Sequence, residues 1–175
     1  MATTYELISS VTVGSGGAAN IEFTSIPQTY TDLAILCSIR TDRPDYQESI
    51  QLRFNGSTSN YTTKGISNDG SSVVSSSTSG ETGMLIGILP GSSSTSNTFG
   101  NGSIYIPNYT GNKNKSVSVD TVSESNHGIT VGTFLRLWSG LWSDTSAITS
   151  IRLYSRNSYN FIQHSTAYLY GISNA

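Results

Sequence analysis

Apolar and polar residues alternate along much of the chain with a period of two, which is the pattern of strands that bury one of their faces. Ile50, Leu52 and Phe54 alternate with polar residues in this way. The Asn-Gly pair that follows at 55–56 predicts a turn. No stretch of helical length repeats its apolar residues with a period of 3.6, so strands and turns are predicted throughout.

The segment 33–39 departs from this alternation because it is apolar on both faces. Leu33 and Ile35 lie on one face of the predicted strand, and Ala34 and Leu36 lie on the other. Such a strand is typical of a sheet that has another layer on each side. The sequence therefore predicts that 33–39 is a central strand, covered on both faces.

The strands are separated by Gly-, Pro- and Asn-rich turn signals, which favours an all-β fold. We predict a single β-sandwich domain over residues 1–175, jelly-roll-like, with about 8–10 antiparallel strands and negligible helix. Two segments of low complexity, 71–83 and 92–102, are rich in Ser, Gly and Asn and are predicted to be loops. A poorly packed edge strand is the alternative for the first of these segments.

The low charge of the chain excludes several classes of partner. Charged residues make up 11% of the sequence and the net charge is −2, so the clustered basic face that a nucleic-acid binder needs is absent. No apolar run is long enough for a membrane span, and the first residues lack the features of a signal peptide. The single cysteine, Cys37, lies in an apolar segment and is predicted to be a small buried side chain.

The titratable residues form no recognisable catalytic or metal-binding motif. His127 falls in a predicted turn and His164 in a predicted strand, where a structural imidazole is expected. The acidic segment 42–48 could supply oxygens to Ca²⁺, but Arg43 would compete for its carboxylates. We therefore predict a protein that is not an enzyme and holds no cofactor or metal. A hydrolase would need two convergent carboxylates, and the sequence identifies no such pair.

Aromatic residues near the C-terminus suggest a sugar or partner contact. Trp142, Tyr154 and Tyr159 are accompanied by Asn and Arg, and exposed aromatic rings of this kind can stack on sugars. The alternative is structural, with Trp138 in the core and Trp142 closing one end of the sandwich. We favour this alternative because large aromatic side chains are buried more often than displayed.

Several stretches resemble the small virion structural proteins of tailed bacteriophages. They are the segments 5–8, 21–27, 30–33, 54–56, 60–61 and 165–172. The resemblance spans nearly the whole chain and includes no catalytic residues. It implies a virion protein that is assembled in the host cytoplasm and lies on the outer capsid surface or on the tail.

Two roles fit this resemblance. The first is a capsid decoration (cement) protein, a trimer that bridges subunits of the major capsid protein and so stabilises the shell. Its candidate assembly contacts are Tyr5, Ile8, Pro27 and Tyr30. The alternative is a tail-associated receptor-binding or carbohydrate-binding module, in which Trp142, Tyr154 and Tyr159 would contact a host surface glycan. A cement protein should present an apolar patch, whereas a lectin should present a groove lined by aromatic side chains.

Overall fold

The computed structural model describes residues 4–68, 72–124 and 134–173, which contain twelve strands and no helix. The predicted all-β sandwich is confirmed, with more strands than predicted. The strands are β1 (Tyr5–Thr12), β2 (Asn20–Phe23), β3 (Asp32–Ile39), β4 (Gln47–Phe54), β5 (Tyr61–Asn68), β6 (Val73–Glu81), β7 (Met84–Pro90), β8 (Gly100–Ile106), β9 (Lys115–Ser123), β10 (Phe134–Trp142), β11 (Ile151–Ser155) and β12 (Thr166–Ile172).

The strands form two antiparallel sheets of unequal size. The large sheet has eight strands in the order β1-β12-β3-β8-β9-β10-β5-β6, and the small sheet has four in the order β2-β11-β4-β7. This order does not by itself establish the jelly-roll connections, which stay a prediction. The inner faces of the two sheets enclose one core cluster, as expected for a sandwich.

One segment predicted to be a loop is a strand. Residues Val73–Glu81 form β6, which pairs with β5 and is the edge strand of the large sheet, so the predicted loop over 71–83 is wrong there and the edge-strand alternative is correct. Four of its nine residues are exposed serines, and the sequence shows no apolar alternation. The backbone pairing holds this strand in place. In the second predicted loop, β8 begins at Gly100.

The core follows the alternation read from the sequence. Ile50, Leu52 and Phe54 of β4 are fully buried, as predicted. Cys37 of β3 is also buried, and burial raises the pKa of its thiol to about 12. A thiol with so high a pKa stays protonated at neutral pH and is inert, which agrees with the prediction of a small buried side chain.

The strand β3 differs from its prediction in one respect. It is central, with β12 on one side and β8 on the other, and Leu33 and Ile35 are fully buried. However, Leu36 on the opposite face is 47% exposed, so the expectation that both faces are covered is wrong. A two-layer sandwich buries only the inner face of each sheet, and β3 carries apolar residues on its outer face as well.

The predicted Asn-Gly turn is confirmed, and it leads from one sheet to the other. Asn55 and Gly56 have φ values of 50° and 69°, in the left-handed region that these residues tolerate. The Ser57 N–H donates to the Phe54 carbonyl at 2.8 Å and closes the turn between β4 and β5. The Asn55 side-chain oxygen accepts the N–H of Thr149 at 2.8 Å, which anchors the turn to the loop before β11.

An aromatic cluster joins the two sheets beside this turn. Trp142 of β10 stacks on Tyr61 of β5 with ring centroids 6.2 Å apart, and Phe54 of β4 lies 5.5 Å from the indole. The Tyr61 hydroxyl accepts the Phe54 N–H at 2.9 Å, and burial raises the pKa of Tyr61 to about 12. The cluster therefore connects the large sheet to the small one by packing and by a buried hydrogen bond.

Two buried cations hold the loops. The Arg40 guanidinium, just beyond β3, donates to the carbonyls of Ser92, Ser94, Thr95 and Thr98 at 2.6–3.1 Å. The Lys115 ammonium donates in the same way to the carbonyls of Gly111 and Lys113, each at 2.5 Å. Each side chain therefore supplies hydrogen-bond donors to several loop carbonyls at once.

We predict that Tyr61→Phe lowers the unfolding free energy by about 1 kcal/mol at neutral pH, because the Phe54 N–H loses its acceptor. The folded hydroxyl keeps its proton up to about pH 12, whereas an unfolded tyrosine loses it near pH 10. The stability from this group is therefore complete below about pH 10 and is lost as the pH rises toward 12. Urea unfolding from about pH 7 to pH 11 should show that the difference in unfolding free energy between the wild type and the variant becomes smaller above pH 10. A difference that stays constant would contradict this assignment.

We also predict that Arg40→Lys destabilises the protein by about 2 kcal/mol, because one ammonium cannot reach the four carbonyls that the planar guanidinium satisfies. The loop that follows β7 should then become sensitive to limited proteolysis. Arg152→Lys is the matched control, since Arg152 is a partly exposed residue that pairs with Glu22 on the surface, and it should change stability by less than about 1 kcal/mol. Equal effects of the two substitutions would be evidence against the anchoring role of Arg40.

Candidate docking surface

Two apolar patches lie on the outer face of the large sheet, the face turned away from the core. The tyrosine patch crosses β1, β12, β3 and β8 and consists of Tyr5, Leu7, Tyr168, Tyr170, Leu36 and Tyr105. The aliphatic patch crosses β9, β10 and β5 and consists of Val122, Leu135, Leu137 and Ile66. We call the two patches together the docking surface.

Strand register places the members of the tyrosine patch side by side. Leu7 is opposite Tyr170, and Tyr168 is opposite Leu36, so these pairs contact across neighbouring strands. The rings of Tyr5 and Tyr170 meet edge to face with centroids 6.4 Å apart. Tyr5 is nevertheless 55% exposed. The patch is thus an ordered apolar surface that remains open to solvent.

A hydrogen bond fixes the edge of the tyrosine patch. The Tyr105 hydroxyl donates to Asp32 Oδ2 at 2.7 Å, and the other carboxylate oxygen accepts the Asn108 N–H at 2.8 Å. The bond to the Asp32 carboxylate raises the pKa of Tyr105. The ring is therefore held against the sheet in a fixed orientation, with its hydroxyl already partnered.

The aliphatic patch is built by the same cross-strand pairing. Leu135 is opposite Val122 on β9, and Leu137 is opposite Ile66 on β5. Leu137 is 58% exposed, more than an apolar side chain of a sandwich face usually is. Between the two patches lie polar residues that include Ser103 and Asp120.

The outer face of the small sheet has a different character. Glu22 of β2 pairs with Arg152 of β11, and the Arg53 guanidinium lies 4.7 Å from the centroid of the Tyr154 ring. The charged side chains of this face are engaged with neighbouring side chains. Among the described residues, the exposed large apolar side chains lie on the large sheet.

Of the four predicted assembly contacts, only Tyr5 belongs to the docking surface. Ile8 sits at a bulge in β1 and packs against the core, and Tyr30 covers Gly171, where a Cβ would overlap its ring. Pro27 is exposed in the turn after β2, and its carbonyl accepts the Tyr109 hydroxyl. The other residues of the docking surface were not among the predicted contacts, although Leu36 indicated in the sequence that the second face of β3 is apolar.

The predicted sugar contacts do not form one exposed site. Trp142 is only 1% exposed, so its ring cannot stack on a sugar and this assignment is wrong. The favoured alternative, in which Trp142 closes one end of the sandwich, agrees with its place in the aromatic cluster. Tyr154 is partly exposed but is engaged by Arg53, whose Nη2 donates to its hydroxyl at 3.0 Å. Tyr159 is partly buried in the loop after β11.

The structure describes the acidic segment 42–48 and one of the two histidines. Arg43 pairs with Asp45 at 3.0 Å and with the fully buried Glu48 at 2.9 Å, so the competition expected in segment 42–48 occurs. His164 precedes β12 in a turn with φ 73°, not in a strand as predicted, and His127 lies outside the described residues. No group of three or more metal-ligating side chains is present in residues 4–68, 72–124 and 134–173.

No helix in the described part of the chain is long and apolar enough to cross a membrane.

Comparisons with known proteins give fold-level likenesses only. No protein-family model matches the chain, and no curated protein sequence matches it. Among solved structures, NanB with optactamide aligns with a TM-score of 0.40 and 10% identity over 97% of this chain, which spans only 27% of the NanB chain. The galectin LEC-6 of Caenorhabditis elegans aligns with a TM-score of 0.28 and 12% identity, covering 87% of this chain and 96% of the galectin. The high-affinity mannose-binding lectin of Ralstonia solanacearum aligns with a TM-score of 0.18 and 16% identity, covering 67% of this chain and 94% of the lectin. At these TM-scores the likenesses carry no argument about activity or ligand.

Proposed function

We propose that this chain is a non-enzymatic decoration (cement) protein of a tailed-phage capsid, which binds the outer shell through its docking surface. The observation that carries the proposal is the apolar outer face of the large sheet, which includes Leu36, Leu137 and Tyr5. Contiguous apolar surface rimmed by polar residues is typical of a protein–protein interface. The partner is the major capsid protein, and the place of assembly is the host cytoplasm.

The outer face that carries the docking surface is large enough for a stable interface. Seven strands of the large sheet, from β1 to β5, form this face, and each contains seven to nine residues. With strands about 4.8 Å apart and a rise of about 3.3 Å per residue, the face measures about 30 Å by 25 Å. This area of about 750 Å², which includes the polar positions between the two patches, is close to the roughly 800 Å² that each partner contributes to a standard interface.

The shape of the surface favours a protein partner over a sugar. The two patches lie on the open face of a sheet, whereas small-ligand sites are concave. Trp142, one of the three residues of the predicted carbohydrate-binding alternative, is buried. The resemblance to phage virion proteins fits a capsid partner and a tail-associated role equally. The trimer stays a prediction.

A lysine in either patch should weaken capsid binding without unfolding the protein. Leu36→Lys and Leu137→Lys place a charge on exposed positions, so each should change stability by no more than about 0.5 kcal/mol. Burying the unpaired charge at the interface should weaken binding by about 2 kcal/mol or more, roughly thirtyfold. Co-sedimentation with capsids that lack this protein measures the loss.

Asn20→Lys is the matched control, because Asn20 is exposed on the outer face of the small sheet. It should leave capsid binding unchanged. If the two docking-surface variants bind as well as the control, the docking surface is not the capsid-binding face.

A further inference from the structure

Two pockets that share lining residues open at the end of the sandwich where β3 finishes, and we call them the two lobes of one groove. The first lobe has a volume of about 430 Å³ and lies between the loop that precedes β8, with Asn97 and Phe99, and the segment 162–164. The second lobe has a volume of about 300 Å³ and lies next to Asp42 and Asn160. Ile162 and Gln163 line both lobes, and each volume suits a small molecule.

The lining of the first lobe combines apolar and neutral polar side chains. Phe99 and Ile162 are partly buried, so each presents some apolar surface to the lobe. Asn97, Gln163 and His164 are exposed around them and carry hydrogen-bonding groups. An aromatic ring surrounded by amide groups and an imidazole suits a ligand that has both an apolar face and several hydroxyls.

The charged side chains at the groove already have hydrogen-bond partners, which argues against an anionic ligand. Arg40 lines the first lobe, but its guanidinium donates to the carbonyls of the loop. Asp42 lines the second lobe and accepts the Asn160 backbone N–H at 2.8 Å and the Asn160 side-chain amide at 3.0 Å. A phosphate or carboxylate would find no uncommitted cation among these lining residues, whereas a neutral polyhydroxyl ligand needs none.

Backbone hydrogen bonds fix the walls of the groove in advance. The Ile162 N–H donates to the Arg40 carbonyl at 3.0 Å, and the His164 N–H donates to the Val13 carbonyl at 3.0 Å. His164 and Asn97 have φ values of 73° and 63°, in the left-handed region that His and Asn adopt in turns more readily than most residues. A groove that is already ordered loses little conformational entropy when a ligand binds.

We propose that this groove binds neutral hexopyranose sugars, one unit in each lobe, with the Phe99 ring against the apolar face of the first sugar. Gln163 lies between the lobes and would donate to hydroxyls of both units. The groove is at the end of the sandwich and shares no residue with the docking surface. A capsid-bound protein could therefore present it to a glycan.

The test uses the full chain and saturation-transfer-difference NMR with maltose, cellobiose and lactose as probes. We expect saturation transfer to at least one of these disaccharides. Phe99→Ala should weaken its binding by about tenfold or more, which corresponds to about 1.4 kcal/mol, whereas Phe99→Tyr should retain it. Tyr154→Ala removes a partly exposed aromatic ring on the small sheet and should leave binding unchanged.

Transfer to none of the three disaccharides would overturn the proposal, as would equal losses for Phe99→Ala and Tyr154→Ala. If Phe99→Ala fails to fold, Gln163→Ala replaces it, because Gln163 is exposed and its removal should not affect folding. Leu36→Lys should lose capsid binding and retain sugar binding. The failure of one proposal can therefore be distinguished from the failure of the other.

Discussion

Every strand of the large sheet has two faces, and the small sheet can cover only one of them. The inner face carries the buried residues of the core, such as Leu33 and Ile35 of β3. On the outer face the same strand presents Leu36, which no second layer covers. The cost of leaving such surface in water, about 25 cal/mol per Å², is removed only when another molecule covers it. The proposed function follows from this difference between the two faces of the large sheet, since the inner face is covered and the outer face is not.

The rest of the structure keeps this face ordered. The aromatic cluster of Trp142, Tyr61 and Phe54 joins the sheets at one place. Arg40 and Lys115 hold long loops by donating to their carbonyls. Because the loops are anchored by buried cations, loop segments rich in Ser and Gly adopt defined conformations despite their low complexity. The same anchoring by Arg40 orders one wall of the groove at the end of the sandwich.

Much of the fold could be predicted from the sequence, because the alternation of apolar and polar residues along a strand indicates which face of that strand is buried. It identified the inward residues of β4 and the Asn-Gly turn correctly. It failed for β6, where exposed serines carry no periodic signal and the backbone pairing with β5 decides the structure. It also failed for the second face of β3, since an apolar face looks the same in sequence whether another layer or a partner covers it.

The candidate site was harder to predict than the fold, because its residues are brought together by strand order. The tyrosine patch joins β1, β12, β3 and β8, which are far apart along the chain but adjacent in the large sheet. Tyr5 was identified as a contact, whereas Tyr168 and Tyr105 became candidates only when the register placed them opposite Leu36 and Ala34 of β3. The groove depends on Arg40 and on the turn at His164, neither of which has a sequence signal for its geometry.

Cryo-electron microscopy of the phage particle that contains this protein tests the central claim most directly. The account predicts density for the chain at repeated positions on the outer shell, with the outer face of the large sheet against the major capsid protein and with Leu36 and Leu137 in the interface. Density at the tail alone, or on the shell with the charged outer face of the small sheet against the capsid, would contradict it.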